Sequence, residues 1–224
     1  MSKETWTAVD RYFTDLLLPT DPILDATLQA NAEAGLPSID VAPNQGKLLN
    51  LFAQIQGART ILEIGTLGGY STIWLARALP ADGRLITLEA NPHHAEVARK
   101  NLEHAGLDHL VEIRLGDALD SLAQLDAEGH GPFDLFFIDA DKQSNSEYFQ
   151  WALNHSRKGS LIITDNVVRN GRVVDEASTD PSVLGVRRFA EHVAAEPRVS
   201  ATALQTVGSK GYDGFAIAVV TEEV

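Results

Sequence analysis

The chain has 224 residues, of which 44% are hydrophobic, and both values are typical of one globular α/β domain rather than of a disordered chain. The formal net charge of −13 argues against a general nucleic-acid binder, because such a protein needs a basic surface. The chain contains no cysteine, which excludes disulfides, thiolate metal sites and a cysteine nucleophile.

Residues 1–57 are predicted to form a helical extension. Apolar residues recur at helical spacing from Trp6 to Leu17, and prolines follow directly. Asp21-Pro22 has the pattern of an N-cap and first turn of a second helix, and a third helix is predicted over Asn44–Ile55. The first two helices are candidates for a lid or a dimer surface, with packing on their own domain as the simpler expectation.

From residue 58 onwards, strands and helices alternate. The five predicted parallel strands are Thr60–Ile64, Arg84–Leu88, Leu110–Leu115, Phe133–Ile138 and Ser160–Thr164. Two more β-rich segments, Val199–Val207 and Gly214–Val220, are joined by a connection too short for a parallel crossover and are therefore predicted to be antiparallel. This pattern predicts an α/β fold with a mostly parallel seven-stranded sheet, helices on both faces and an antiparallel C-terminal hairpin.

We expect one domain over residues 1–224, because no repeat or interdomain linker interrupts the pattern. No signal peptide and no apolar run of membrane-spanning length is recognisable. A cytoplasmic protein with no membrane partner is therefore expected.

The segment Thr60–Ala76 combines a buried strand, a glycine turn and a helix. Gly65, Gly68 and Gly69 follow the strand, so that backbone N–H groups and the positive end of a helix converge on one point. An ordinary turn between strand and helix is the alternative. Glu89, at the tip of the next strand, favours a nucleoside site, because a carboxylate there can accept hydrogen bonds from both ribose hydroxyls.

Acids or amides follow each predicted parallel strand, at the edge where open α/β sheets bind ligands. Asp139, Asp165 and Asn166 are three oxygen donors on consecutive strands, which suits Mg²⁺. The alternative is that the two aspartates cap helices and the asparagine forms a turn. For Asp117 and Asn91, a helix N-cap explains the residue as well as a ligand role does.

Lys142 lies three residues after Asp139. It is either a surface lysine paired with Asp141 or a general base. A lysine beside a divalent cation is driven towards its neutral form and can then accept a proton.

Together these motifs resemble those of the cation-dependent, S-adenosylmethionine-dependent O-methyltransferases, which include catechol O-methyltransferase and the plant caffeoyl-CoA O-methyltransferases. The resemblance rests on I-L-E-I-G-T-L-G-G-Y-S at 61–71, Glu89, G-D-A at 116–118, F-I-D-A-D-K at 137–142 and T-D-N at 164–166. It extends over about Val41–Val220, and the D-A-D-K and D-N pair makes it specific. It implies a Rossmann-like methyltransferase fold and, by analogy, a homodimer.

The resemblance also implies roles for individual residues. The donor-binding residues are then Val41, Glu63, Gly65, Thr66, Ser71, Glu89, Asp117, Ala118, Asp139 and Asp141. Among them Glu89 would bind the ribose, Ala118 would lie against the adenine and Asp141 would reach the donor's amino group. The Mg²⁺ ligands would be Asp139, Asp165 and Asn166. Lys142 would be the catalytic base, and the acceptor would be contacted by Lys142, Asn166 and Asn170.

Two departures lie on the acceptor side. Arg169 stands where the plant enzymes and many relatives carry a tryptophan, and the connection Thr206–Gly214 differs from the family pattern. The donor and metal assignments do not depend on either segment. The identity of the acceptor therefore stays open.

The resulting hypothesis is methyl transfer from S-adenosylmethionine to a small catechol-like acceptor whose two adjacent hydroxyls chelate Mg²⁺. One alternative is the same chemistry on a hydroxylated uridine of tRNA, with arginines at 169, 172, 187 and 188 as a local basic rim. An NAD-dependent dehydrogenase is disfavoured because Leu67 replaces the second glycine of its fingerprint. A non-catalytic nucleotide-binding or oligomerising protein is disfavoured by Lys142 and the complete set of metal ligands.

Overall fold

The computed structural model describes residues 2–222 and has an α/β architecture. The helices are α1 Lys3–Leu17, α2 Pro22–Glu33, α3 Pro43–Gln56, α4 Tyr70–Ala76, α5 Pro92–His104, α6 Ala118–Ala127, α7 Asn145–Asn154 and α8 Pro181–Ala195. The strands are β1 Thr60–Ile64, β2 Arg84–Glu89, β3 Val111–Leu115, β4 Phe133–Ile138, β5 Ser156–Asp165, β6 Val199–Gly208 and β7 Gly211–Val220. Two short 3₁₀ helices cover Lys142–Ser144 and Arg172–Val174.

The seven strands form one sheet in the order β3-β2-β1-β4-β5-β7-β6. The first five strands are parallel, and β7 runs antiparallel to both β5 and β6. In register, Ile64 of β1 pairs with Leu88 and Ile138, and Ile138 pairs with Thr164. The carboxyl ends of β2, β1, β4 and β5 therefore lie side by side, and the predicted sheet with its antiparallel C-terminal hairpin is confirmed.

The core covers both faces of the sheet. Phe136 and Phe137 of β4 are fully buried and point to opposite faces, since successive side chains of a strand alternate. Helices α6, α7 and α8 pack on the Phe136 face, and α3, α4 and α5 pack on the Phe137 face. Burying one such side chain stabilises the fold by roughly 1.5–3 kcal/mol. The core thereby holds the strand tips in place.

Some element bounds differ from the prediction. The alternation of strands and helices and the N-cap pattern at Asp117 predict a helix between the third and fourth strands without giving its bounds, and α6 occupies this segment, with Leu122 and Leu125 buried. A short helix of this kind is stabilised by tertiary packing more than by its own sequence. β5 begins at Ser156 rather than Ser160, because its polar first residues still pair with the start of β4. β7 begins at Gly211, so the hairpin is tighter than predicted.

The N-terminal helices form as predicted. Asp21 caps α2 by accepting hydrogen bonds from the N–H groups of Ile23 and Leu24. α1 packs on β6 and α3, and none of its residues is buried. Within residues 2–222, no helix is both long enough and apolar enough to cross a membrane.

Candidate active site

A cavity of about 580 Å³ opens where the carboxyl ends of the parallel strands meet. Eleven of the predicted site residues line it: Val41, Gly65, Thr66, Ser71, Glu89, Asp117, Ala118, Asp139, Asp141, Lys142 and Asn166. Glu63, Asp165 and Asn170 do not line it. The fold thus brings most of the predicted donor, metal and base residues to one place, as the aligned strand tips require.

The glycine turn after β1 lies directly against the tip of β4. A Cβ atom on Gly65 would lie 2.2 Å from the carbonyl oxygen of Asp139, and the residue has a φ of +103°. Only glycine fits this approach and this backbone conformation. The close contact places the predicted donor turn beside the predicted metal ligands.

Glu63 is fully buried beneath this turn. Its carboxylate accepts hydrogen bonds from Ser71 Oγ at 2.6 Å, from Thr87 Oγ1 at 2.7 Å and from the Thr72 hydroxyl. Burial raises the pKa of Glu63 to about 7 despite these three donors, and the charge of Asp139 adds to the rise. Glu63 does not line the cavity, but it holds Ser71, which does. Its role in binding the donor stays a prediction.

Glu89 borders the cavity with both carboxylate oxygens hydrogen bonded. Oε2 accepts from the backbone N–H of Leu67 at 2.8 Å and Oε1 from that of Asn91 at 2.9 Å. A carboxylate oxygen has a second lone pair, so each can still accept a ribose hydroxyl. The two bonds orient Glu89 for the role predicted for it.

The N-cap alternatives prove correct at two positions. Asp117 caps α6 by accepting from the N–H groups of Leu119 and Asp120, and it also lines the cavity. Asn91 caps α5 by accepting from the N–H of His93 at 2.9 Å and does not line the cavity. Asp117 therefore combines a capping role with a place in the site.

Asp139 and Asp165 stand at the tips of neighbouring parallel strands. Asp165 is buried, and its Oδ2 accepts from Gln45 Nε2 at 2.7 Å. Burial raises the pKa of Asp165 to about 7, with a further contribution from the negative charge of Asp139. Neither aspartate caps a helix, so that alternative is wrong for both. Asn166 has a left-handed φ of +58° but precedes the turn that begins at Arg169.

Lys142 is 6% exposed, and its Nζ donates to Asp139 Oδ1 at 2.8 Å. The surface pair with Asp141 is therefore wrong. Asp141 instead accepts from Ser144 Oγ at 2.6 Å and from the hydroxyl of Tyr148. The amine of Lys142 therefore lies between the predicted donor-binding turn and the predicted metal ligands.

The backbone of Lys142 is held by helix α8. A Cβ atom on Gly185 of α8 would lie 2.1 Å from the Lys142 carbonyl oxygen, so the helix and the 3₁₀ turn are in direct backbone contact. The sequence contains no local sign of this contact, because Gly185 is 43 positions away in an otherwise ordinary helix.

The loop after β5 forms the side of the cavity where the acceptor is predicted to bind. Asn166, Arg169 and Asn170 all have left-handed φ values of 56–58°. Asp213 of β7 fastens this loop, since its Oδ1 accepts from the N–H groups of Val168 at 3.0 Å and Arg169 at 2.9 Å. Arg169 lines the cavity, whereas Asn170 is exposed outside it, and the acceptor contact of Asn170 stays a prediction.

Sequence reasoning missed several lining residues, among them Ile39, Asp40, Tyr70, His94, Tyr148 and Ser182. Asp40 precedes Val41 directly, so its position could have been inferred from its neighbour. Its Oδ1 accepts from Asn31 Nδ2 at 2.8 Å, and burial raises its pKa. Asn31 lies on α2, which connects the N-terminal helices to the cavity wall.

A family model described as O-methyltransferase matches residues 19–217. The chain belongs to this O-methyltransferase family. It is 57% identical over 220 residues to a catechol O-methyltransferase of Niastella koreensis, covering 98% of this chain and 100% of the relative. It is 50% identical over 212 residues to a catechol O-methyltransferase of Mycobacterium tuberculosis, covering 95% and 94%.

Solved structures match this O-methyltransferase over nearly its whole length. The O-methyltransferase from Bacillus cereus in complex with SAH has a TM-score of 0.97 and 64% identity, covering 98% of this chain and 100% of that one. The O-methyltransferase TomG from Streptomyces achromogenes, in complex with SAM, has a TM-score of 0.95 and 52% identity, covering 99% of each. The predicted family and fold are confirmed, and the dehydrogenase and non-catalytic alternatives are wrong.

Proposed function

We propose that this O-methyltransferase moves the methyl group of S-adenosylmethionine to one of two adjacent hydroxyls on a small aromatic acceptor, with a divalent cation, Mg²⁺, bound beside it. The observation that carries the proposal is the meeting of three parts in one cavity. These are the turn at Gly65, the carboxylate of Glu89 and the Lys142–Asp139 pair. The relatives that bind SAH or SAM and those named catechol O-methyltransferase support the same donor and acceptor class.

The donor fits the side of the cavity that lies over β1 and β2. Glu89 offers lone pairs to the ribose hydroxyls, and Ser71 and Thr66 line the wall at the turn. Ala118, the first residue of α6, offers an apolar surface for the adenine. The sulfonium of the bound donor supplies a methyl carbon that an acceptor oxygen can attack in line with the departing sulfur.

The residues at the tips of β4 and β5 fit a hard divalent cation. The part of the chain described, residues 2–222, contains no cluster of three or more histidine, cysteine or acidic side chains suited to a metal. Two carboxylates and one amide oxygen, from Asp139, Asp165 and Asn166, lie outside that class and match the preference of Mg²⁺ for oxygen. The negative charges of Asp139 and Asp165 repel each other, and a bound cation would offset this repulsion. When bound, the cation would lower the pKa of an acceptor hydroxyl.

Lys142 is the proposed base. Its burial and its hydrogen bond to Asp139 fix the amine in the cavity, where it can take the proton of an acceptor hydroxyl. The oxygen forms a bond to the methyl carbon as the carbon–sulfur bond breaks, and the donor leaves as a neutral thioether. Most of the acceleration then comes from alignment of two bound reactants, since the chain's own groups are already held in place.

The test is an activity screen of dihydroxyphenols with labelled donor and Mg²⁺. We expect phenols with adjacent hydroxyls to be methylated and their isomers with separated hydroxyls not to be methylated. Excess EDTA should abolish turnover, and added Mg²⁺ should restore it. Full activity in EDTA would remove the cation from the proposal, and absence of turnover with every dihydroxyphenol would remove the acceptor class.

Three of the four arginines that prompted the tRNA alternative are bound within the protein. Arg172 pairs with Asp180 at 2.7 Å, Arg187 donates to the carbonyl of Val173, and Arg188 to that of Gln143. Arg169 alone does not make a basic rim for RNA. A small molecule is therefore the proposed acceptor.

We also propose that the chain forms a homodimer through α1. This amphipathic helix leaves four large side chains between 49% and 67% exposed, namely Tyr12, Phe13, Leu16 and Leu17. Adjacent exposed side chains of this size form a patch of the kind that marks protein interfaces. A second copy of the helix would cover it.

A further inference from the structure

Arg169 occupies the acceptor side of the cavity. It follows Asn166 by three positions in the loop after β5, and both residues line the cavity together with Lys142. Three residues of chain span at most about 11 Å. An acceptor whose hydroxyl lies beside Asn166 and Lys142 therefore has its far end within reach of the long Arg169 side chain.

The guanidinium of Arg169 has no partner within residues 2–222. Its Nε is inaccessible to water and makes no hydrogen bond, and the other guanidinium nitrogens also donate to no group of the protein. Lys142 is the lysine among the lining residues, and its amine is paired with Asp139. Buried donors are normally satisfied, so an uncommitted guanidinium in a cavity needs an explanation.

The backbone around Arg169 is held firmly in an unfavourable conformation. Its φ of +56° is costly for a residue with a Cβ atom, and its N–H is fixed by Asp213 at 2.9 Å. The loop therefore places this side chain at the cavity although it forms no ion pair with any residue in the range 2–222. A bound ligand is the remaining partner.

We infer that Arg169 binds a carboxylate on the acceptor, so that the acceptor class is an aromatic acid with two adjacent ring hydroxyls. This inference rests on the proposed function. The planar guanidinium fork matches a carboxylate with two parallel hydrogen bonds, and the pairing is strong where water is excluded. The tryptophan expected here by family resemblance offers no such charge. A guanidinium could instead stack on the acceptor ring, and the test separates these two roles.

The experiment compares a dihydroxybenzoate that has adjacent hydroxyls with its methyl ester, which keeps both hydroxyls but carries no charge. Wild type should prefer the acid. Arg169→Met should lower kcat/KM for the acid by about 10- to 100-fold, mainly through KM, and for the ester by less than about threefold. Arg169→Lys keeps the charge without the fork and should fall between. Arg99→Met, which removes an exposed arginine of α5 outside the cavity, is the matched control and should leave both acceptors nearly unchanged.

Three outcomes would overturn the inference. Equal losses for acid and ester in Arg169→Met would assign the side chain to ring stacking or loop shape. A wild type that prefers the ester, or treats both alike, would leave the inference wrong with the proposed function intact. Methylation of neither compound would overturn the inference, and the proposed function would fall with it only if no other dihydroxyphenol is methylated. If Arg169→Met does not fold, the wild-type preference and its decline with added salt decide the question, because a guanidinium–carboxylate pair is screened by ions.

Discussion

At the scale of single residues, Lys142 is the side chain with the most specific prediction. Lys142→Met keeps the buried stem and removes the amine, so the base is lost while Asp139 and the donor turn stay in place. We expect turnover to fall at least about 100-fold. Donor affinity, measured by calorimetric titration with S-adenosylmethionine, should change little.

The distant Lys158→Met is a suitable control for that experiment, since it removes an exposed lysine outside the cavity. Normal turnover of Lys142→Met with every accepted phenol would exclude the lysine as the base. Loss of donor binding together with turnover would indicate damage to the cavity instead.

The buried carboxyl group of Glu63 should make the free energy of unfolding depend on pH. Burial raises its pKa from an ordinary 4.5 to about 7, so the native state binds the proton more tightly than the unfolded chain does. Its contribution to the free energy of unfolding is complete below pH 4.5 and is lost as the pH rises through about 7. The loss amounts to about 3 kcal/mol.

Glu63→Gln carries no titrating group at this site and provides the comparison. Between pH 4.5 and pH 8, urea unfolding should show wild type losing about 3 kcal/mol relative to this variant. Asp165, whose pKa is also raised, is present in both proteins and cancels. Parallel stability curves for the two proteins would contradict the assignment.

At the scale of elements, the acceptor loop depends on the C-terminal hairpin. Asp213 accepts hydrogen bonds from the N–H groups of Val168 and Arg169. These bonds offset the conformational free energy that the left-handed residues of that loop cost. Asp213→Ala should release the loop, raise KM for the acceptor and cost about 1–3 kcal/mol of stability. The affinity for S-adenosylmethionine should stay within about threefold, because the donor turn lies on other strands.

Asp213→Asn retains an acceptor oxygen of the same shape and should recover most of the lost activity. The measurement is the steady-state KM for a phenol with adjacent hydroxyls, alongside thermal unfolding. An unchanged KM for the alanine variant would show that the loop holds its conformation without this side chain.

The same element scale shows why some site residues were predictable and others were not. Glu89 and Asp139 stand at the ends of apolar strand runs. The carboxyl ends of parallel strands all lie at the same edge of the sheet, which is the edge that binds ligands. Asp213 and Gly185 act on the site from the hairpin and from α8, across contacts that no local spacing encodes. Asn170 lies outside the cavity in a turn of the loop, and its acceptor contact stays a prediction.

At the scale of the whole molecule, the apolar face of α1 predicts self-association. Leu16→Glu combined with Leu17→Glu should convert a dimer into a monomer, since a charge on this face opposes burial. Size-exclusion chromatography with light scattering measures the mass directly. Ile55→Glu, an exposed position at the far end of α3 from the Asn44–Asp10 hydrogen bond, serves as the control.

A wild type that is monomeric at all concentrations would contradict the dimer. A dimer that survives in the double variant would locate the interface elsewhere. Retained turnover in a monomeric variant would show that the cavity is complete in one chain.

The amino-acid sequence by itself determined the order of strands and helices, the glycine turn and the acids at the strand tips, because each of these depends on residues close together in the chain. Only the tertiary structure decided that Lys142 faces Asp139 rather than Asp141, that Glu63 lies beneath the turn and that the Arg169 guanidinium has no partner within residues 2–222. Those facts depend on packing between elements far apart in sequence, where burial and hydrogen-bond geometry, not spacing, select the partner.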